Sequence, residues 1–236
     1  DWFGWSVALS SDGSRALVGA RYDDTAGGMD TGSARVFVRT GATWVEEATL
    51  LASGGAAFAA FGLSVALSSD GSRALVGAPG DDTSGGVGAG SARVFLRTGA
   101  TWAEEATLLA SRVNGFGLSV ALSSDGSRAL VGAPNNEIAV VFLRTGATWV
   151  EEATLIASGA AVGDHFGCSV ALSSDGSRAL VGAWRDDTAG GAEAGSARVF
   201  VRTGSTWVEE ATLLASDGAA EDRFGFLHVG DDRVHQ

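Results

Sequence analysis

The chain has 236 residues, of which 16 are basic and 28 acidic, for a formal charge of −12. That balance excludes a general nucleic-acid binder, which needs clustered positive charge to displace phosphate counterions. With 45% hydrophobic and 19% charged residues the chain can bury a core and is not disordered, and 35 glycines against 2 prolines suit many tight turns between strands.

Self-comparison decides the architecture before propensity does. The segment Phe3-Gly4-Trp5-Ser6-Val7-Ala8-Leu9-Ser10-Ser11-Asp12-Gly13-Ser14-Arg15-Ala16-Leu17-Val18-Gly19-Ala20 returns almost unchanged from Phe61, Phe116 and Phe166, and Phe224-Gly225 opens a fifth copy. The copies start 50 to 58 residues apart, a period that belongs to propellers and other arrays. The units are expected at 1–58, 59–113, 114–163 and 164–221, with a partial fifth at 222–236, all in one domain.

Within the first unit, residues 5–10 alternate Trp5, Val7 and Leu9 with Ser6, Ala8 and Ser10, the period of a strand. Ser11-Asp12-Gly13-Ser14 supplies the Asp-Gly chemistry of a hairpin turn, and residues 15–20 form the second strand. A longer loop from Asp23 to Gly32 leads to a third strand at 33–39, and Thr40-Gly41-Ala42-Thr43 turns the chain into a fourth at 44–52. That last segment contains Glu, Ala and Leu and is long enough for two helical turns, but it lacks an amphipathic run and sits in a strand-like repeat. Four strands per unit predict an all-β fold, a β-propeller of four antiparallel four-stranded blades, either a four-bladed ring or part of a larger one.

The motifs that frame each unit resemble FG-GAP repeats, the units of the integrin α-chain propeller and of many bacterial and algal surface proteins. Phe-Gly stands at Phe3-Gly4, Phe61-Gly62, Phe116-Gly117, Phe166-Gly167 and Phe224-Gly225, and Gly-Ala-Pro at Gly77-Ala78-Pro79 and Gly132-Ala133-Pro134. Gly19-Ala20-Arg21 and Gly182-Ala183-Trp184 depart from it by lacking the proline. The resemblance implies an extracellular or cell-surface interaction module. Calcium-binding units of that family carry an Asp-x-Asp-x-Asp-Gly loop between the first two strands. Here that loop holds one carboxylate per unit, Asp12, Asp70, Asp125 or Asp175, too few for a cation that wants six to eight oxygens.

A second candidate metal site is the loop between strands two and three, with Asp23, Asp24 and Asp30 in the first unit, Asp81 and Asp82 in the second, and Asp186, Asp187 and Glu193 in the fourth. Two or three carboxylates with backbone carbonyls could hold Ca²⁺ weakly. The rival reading is a solvated turn, or aspartates paired with Arg35, Arg93 and Arg198, which occur only where the Asp pair occurs. The third unit, Pro134-Asn135-Asn136-Glu137-Ile138-Ala139-Val140, lacks pair, loop and arginine together.

Glu46-Glu47, Glu104-Glu105, Glu151-Glu152 and Glu209-Glu210 are adjacent strand residues that point to opposite faces, so one pair cannot flank a single glycosidic bond. Cross-strand pairing with Arg39, Arg97, Arg144 and Arg202 is the expectation. Trp44, Trp102, Trp149 and Trp207 are expected to pack against the next blade, with sugar stacking as the rival reading. Tyr22, Trp184, His165, His228, His235 and the lone Cys168 occur outside the repeat and form no catalytic constellation. The cysteine is expected as a buried thiol. No Gly-x-Ser-x-Gly elbow, His-Glu-x-x-His or phosphate loop is present.

Repetition of like groups therefore points away from an enzyme and toward a binding or adhesion module with no cofactor beyond a candidate Ca²⁺ and with a protein or glycan partner. The alternatives are an accessory propeller for a catalytic domain outside the chain, or a spacer or filament subunit. No membrane insertion is expected, since no apolar stretch approaches 18 residues. Open blade edges make self-association a further expectation. The chain opens at Asp1 without a charged and apolar leader, so a secretion signal is expected, if anywhere, outside this stretch.

Overall fold

A computed structural model describes residues 1–226. Sixteen strands form four sheets, each paired antiparallel in chain order. The first blade holds β1 (Phe3–Leu9), β2 (Arg15–Ala20), β3 (Ser33–Thr40) and β4 (Thr43–Leu50), and the second β5 (Ser64–Leu67), β6 (Arg73–Ala78), β7 (Ser91–Thr98) and β8 (Thr101–Leu108). The third holds β9 (Ser119–Leu122), β10 (Arg128–Ala133), β11 (Ile138–Thr145) and β12 (Thr148–Leu155), and the fourth β13 (Phe166–Leu172), β14 (Arg178–Ala183), β15 (Ser196–Thr203) and β16 (Thr206–Leu213). The Glu-Ala-Leu segment is thus a strand, and among the described residues the one helical turn is a 3₁₀ turn at Pro134–Asn136. The tail beyond Phe226, with His228 and His235, lies outside the described residues.

The core lies between blades. Leu17, Ala34, Val36 and Leu50 of the first blade meet Phe61, Ala74, Val76 and Phe95 of the second. The same set recurs between the second and third blades and between the third and fourth. Each Phe of the repeated Phe-Gly is wholly buried at these junctions and lies edge-on to a phenylalanine of its own third strand, Phe61 with Phe95, Phe116 with Phe142 and Phe166 with Phe200. Full burial of one such side chain contributes about 1.5–3 kcal/mol. Innermost strands stand side by side from β1 to β5, β5 to β9 and β9 to β13, and Phe3, Val7 and Leu9 of the first blade are exposed, unlike the buried phenylalanines at the three junctions.

Glycine fixes how closely neighbouring blades approach. Gly62 sits at φ +90°, donates its N–H to the Gly77 carbonyl within its own blade, and turns its own carbonyl onto Gly19 of the preceding blade. A Cβ at Gly19 would collide with that carbonyl, as would one at Gly77 with Gly117 and one at Gly132 with Gly167. The same carbonyls accept the hydroxyl of the repeated serine, Ser6 to Gly62, Ser64 to Gly117 and Ser119 to Gly167, each at 2.8 Å. The two glycines that frame each unit are therefore the two sides of one backbone clasp between blades.

The Gly77→Ala substitution forces a methyl against backbone that has nowhere to move, and is expected to cost about 3 kcal/mol, near the upper end for overpacking. Gly146→Ala, at φ +64° in a turn with open space, is expected to cost about 1 kcal/mol for its left-handed conformation alone. Urea unfolding of the two variants measures the difference, and equal losses would contradict the clasp.

Candidate functional site

The blade topology separates two rims. Tight turns between first and second strands and between third and fourth strands lie at one end, while the loops between second and third strands share the other end with the inter-blade linkers. At the tight-turn rim Asp12 accepts Ser10 Oγ at 2.7 Å and the Ser14 backbone N–H at 2.9 Å, with Gly13 at φ +64°. Those hydrogen bonds, the Ser10 one foremost, hold the Asp12 carboxyl down at about 2, and Asp175 behaves alike. The single carboxylate of this turn is occupied in shaping it.

At the loop rim the first aspartate of each pair turns inward. Asp81 Oδ2 accepts Ser91 Oγ at 2.7 Å and Arg93 Nη2 at 2.6 Å, and the same arginine reaches Glu104 and Thr107 at 3.0 Å each. Burial works against the Arg93 charge, yet Asp81 and then Glu104 raise its pKa above the ordinary arginine value. Asp23 meets Ser33 and Arg35, and Asp186 meets Ser196 and Arg198, in the same way. The second aspartate folds the loop, since Asp24, Asp82 and Asp187 accept the backbone N–H of Asp30, Gly88 and Glu193. Asp30 enters through its backbone, and Glu193 lies 3.8 and 3.7 Å from Arg185 and Arg223. These eight carboxylates do not converge, and among the described residues no group of three or more His, Cys, Asp or Glu is placed to hold a metal ion. The Asp–Arg contacts of the second reading are present in all three loops.

The third blade shows what the loop supplies. Elsewhere the Phe-Gly phenylalanine donates its N–H to a loop carbonyl, Phe61 to Thr31 and Phe116 to Ala89. With the loop of the third blade missing, Glu137 takes over with its side chain, accepting Phe166 N–H at 2.7 Å and Gly163 N–H at 2.9 Å. Val140 replaces the arginine and is buried, which avoids a buried guanidinium without its carboxylate, a situation costing about 3–5 kcal/mol. Sequence reasoning gave Glu137 no role. Its placement directly before a strand in the one unit without a loop was the available signal.

The second glutamate of each Glu-Glu pair differs from the expectation. The β3–β4 register skips one residue, pairing Val36 with Ala48 and Phe37 with Glu46, so that Glu47 is a bulge. Glu105, Glu152 and Glu210 are bulged alike. A bulge re-aims its side chain, and Glu47 reaches across to the next blade, where it accepts Arg97 Nη2 at 2.6 Å and Trp102 Nε1 at 2.9 Å. Glu105 takes Arg144 and Trp149, and Glu152 takes Arg202 and Trp207. The expected cross-strand pairs with Arg97, Arg144 and Arg202 are therefore inter-blade pairs, because the strand neighbours of those arginines are the tryptophans themselves. Within the blade the bulged glutamates pair instead with Arg15, Arg73, Arg128 and Arg178. The tryptophans pack against the preceding blade rather than the next.

Among the described residues, those outside the repeat lie on the first and fourth blades. The Arg21 guanidinium lies 3.8 Å from the Trp5 ring centre and 4.2 Å from that of Tyr22, with Trp2 beyond. In the fourth blade Trp184 stacks on His165 and packs beneath Arg185. Cys168 is a buried free thiol.

Burial pushes the Glu47, Glu105 and Glu152 carboxyls up, but their arginines and tryptophans hold all three below the ordinary glutamate value of 4.5. Groups depressed by folding contribute their stability above that value and lose it as pH falls through the folded pKa. The urea midpoint is thus expected to drop as pH is lowered through the acid range, and to drop less steeply in Glu105→Gln. Thermal melts in excess Ca²⁺ and in EDTA are expected to superimpose, since a ligand of the native state would raise stability by mass action. A rise in Ca²⁺ that disappears in Asp24→Asn, Asp82→Asn and Asp187→Asn would place a metal site in these loops.

A family model described as FG-GAP repeat matches residues 1–37, 44–95 and 149–200, more than half of the chain. No curated protein matches the sequence. Among solved structures, a functionally unknown protein from Desulfotomaculum acetoxidans DSM 771 is 11% identical, with a TM-score of 0.60 over 92% of this chain and 59% of that one. The periplasmic gluconolactonase of Pseudomonas aeruginosa is 15% identical, TM-score 0.54, over 89% of this chain and 57% of its own. The WD40 repeats of RRP9 are 12% identical, TM-score 0.56, over 88% and 50%. The chain spans less than two thirds of each of these, and at such identities the likeness shows the fold alone. With Phe-Gly and Gly-Ala clasped at every junction and the family model matching most of the chain, this protein belongs to the FG-GAP repeat family.

Proposed function

We propose that this chain is a non-catalytic binding module of the cell surface or extracellular space, which takes a protein or glycan ligand on the rim formed by its Asp-Asp loops. The observation that carries the reading is the presence of three like acidic loops, at residues 23–32, 81–90 and 186–195, on one rim of one scaffold. Repeated weak sites on one body gain avidity without new contacts. The deeper charges of these loops are consumed in the fold, which leaves Asp24, Asp82, Asp187, Met29 and Val87 exposed for a partner. FG-GAP repeats are typical of extracellular proteins, and among the described residues no helix is long and apolar enough to cross a membrane. A lactonase reading rests on fold likeness alone.

The test is binding of the purified chain to a glycan array and to intact cells, compared with the combined variant Asp24→Asn, Asp82→Asn, Asp187→Asn. Loss of about tenfold or more in apparent affinity is expected, because each loop contributes to avidity. A parallel assay with sugar lactones is expected to show no hydrolysis above buffer. Lactone turnover, or binding indifferent to the rim, would sink the proposal.

A further inference from the structure

The loop of the second blade stands open where its counterparts are covered. In the first and fourth blades the linker after the outer strand folds back over the loop, and a Cβ at Gly27 or Gly190 would collide with the carbonyl of Gly55 or Gly218. The second linker is shorter, with five positions from Ser111 to Phe116 where eight separate Ser53 from Phe61, Ser158 from Phe166 and Ser216 from Phe224. The nearest linker atom to a Cβ at Gly85 is therefore the Ala110 carbonyl, at 3.8 Å. What remains is a groove of about 300 Å³ lined by Ser84, Gly85, Leu109, Ala110, Ser111 and Arg112.

Three side chains and one backbone N–H in this groove are left without partners. Ser53 and Ser158 donate their backbone N–H to Glu104 and Glu209 of the next blade, at 2.9 and 2.7 Å, and those glutamates are steadied by Arg93 and Arg198. The third blade has Val140 in place of that arginine, and its Glu151 accepts only Thr154. Among the described residues, the Ser111 N–H, the hydroxyls of Ser84 and Ser111 and the Arg112 guanidinium thus have no partner. Arg112 also stands in strained backbone. Its φ is +60°, at the position held in the first and third linkers by Gly54 and Gly159 at +69° and +74°. A side chain kept where glycine fits freely is the kind of outlier that gathers at functional sites. The loop beside it is also the least acidic of the three, with Gly88 standing where the others have Asp30 and Glu193.

We infer that this groove binds an acidic sugar carrying one carboxylate, with Arg112 and the Ser111 N–H on the carboxylate and the hydroxyls of Ser84 and Ser111 on those of the sugar ring. The inference rests on the loop rim being the binding face. Size and lining select a sugar over a peptide. The groove is at the small end of ligand sites, and Leu109 is the one large apolar side chain among its six residues. None of the six lies in a strand, so no open strand edge is offered to a peptide backbone. A guanidinium matches a carboxylate with two parallel hydrogen bonds, while the formal charge of −12 opposes a polyanion.

Titration calorimetry of the full chain tests this with the methyl glycosides of glucuronic acid and of N-acetylneuraminic acid. Methyl glucoside serves as the neutral control and acetyl-Ala-Ala, with its free carboxylate, as the peptide control. At least one sugar acid is expected to bind with a millimolar Kd, about tenfold or more tighter than either control. In Arg112→Gly the melting temperature is expected not to fall, since glycine adopts that φ freely, while sugar-acid affinity drops about tenfold or more with the charged hydrogen bonds. No binding of either sugar acid, equal binding of the glucoside, equal or tighter binding of the peptide, or an Arg112→Gly variant that binds like the full chain would each overturn the inference. Cell and glycan binding lost in the combined Asp24→Asn, Asp82→Asn, Asp187→Asn variant but kept in Arg112→Gly would overturn the groove alone. Sugar-acid binding lost in Arg112→Gly, with cell binding indifferent to the three aspartates, would uphold the groove and overturn the acidic-rim reading.

Discussion

Everything in this fold depends on how closely one backbone can lie on another. The carbonyl after each Phe-Gly rests against the glycine that ends the preceding blade's second strand, nearer than any Cβ would permit. That approach sets the spacing between sheets, which in turn sets the depth to which Phe61, Phe116 and Phe166 are buried. It also delivers a carbonyl to the hydroxyls of Ser6, Ser64 and Ser119, so the polar groups brought together by the approach are satisfied rather than stranded. Phe, Gly, Ser and the second Gly thus meet at one point of each junction.

The polar counterpart of the clasp is the bulged glutamate. In a regular strand Glu47 would point where strand alternation sends it. The extra residue instead turns it to the junction, where one carboxylate ties an arginine of its own blade to an arginine and an indole of the next. The arrangement needs a blade on each side to be complete. Arg93, in an inner blade, is nearly enclosed and holds Asp81 at 2.6 Å, whereas Arg35, in the first blade, is 35% exposed and stands 3.5 Å from Asp23. The same Asp–Ser–Arg set gives a tight network or a loose one according to what lies in front of it.

This explains what could and could not be read from the chain itself. Period-two alternation, Asp-Gly turns and the repeat placed all sixteen strands, because those signals are local. The pairing of Asp23, Asp81 and Asp186 with arginine was legible as one of two readings, since loop and arginine vanish together in the third unit. The bulge was not legible, because it depends on a register offset between Val36 and Phe37 that leaves no mark in residue type. Without the bulge, strand alternation pairs Arg97 within its own blade and sends Trp102 to the next blade, whereas both meet Glu47 of the preceding one. Glu137 escaped for a related reason. Its task is to replace a backbone carbonyl, a role that no motif encodes and that becomes visible only when the Phe166 N–H is followed to its acceptor.

The third blade also shows that the loop rim is the part of this scaffold that varies while the junctions stay the same. The third unit lacks the aspartate pair, its arginine and the linker acceptor, and one carboxylate and one valine stand in their place. The junctions on both sides of that blade keep the same Phe-Gly clasp, the same serine bond and the same bulged glutamate as the others. The junctions are where backbone meets backbone and a Cβ on the clasp glycine has no room. The rim is joined to them through a few side-chain hydrogen bonds, and where the loop is absent in the third blade Glu137 and Val140 stand in for them with the junctions on either side unchanged.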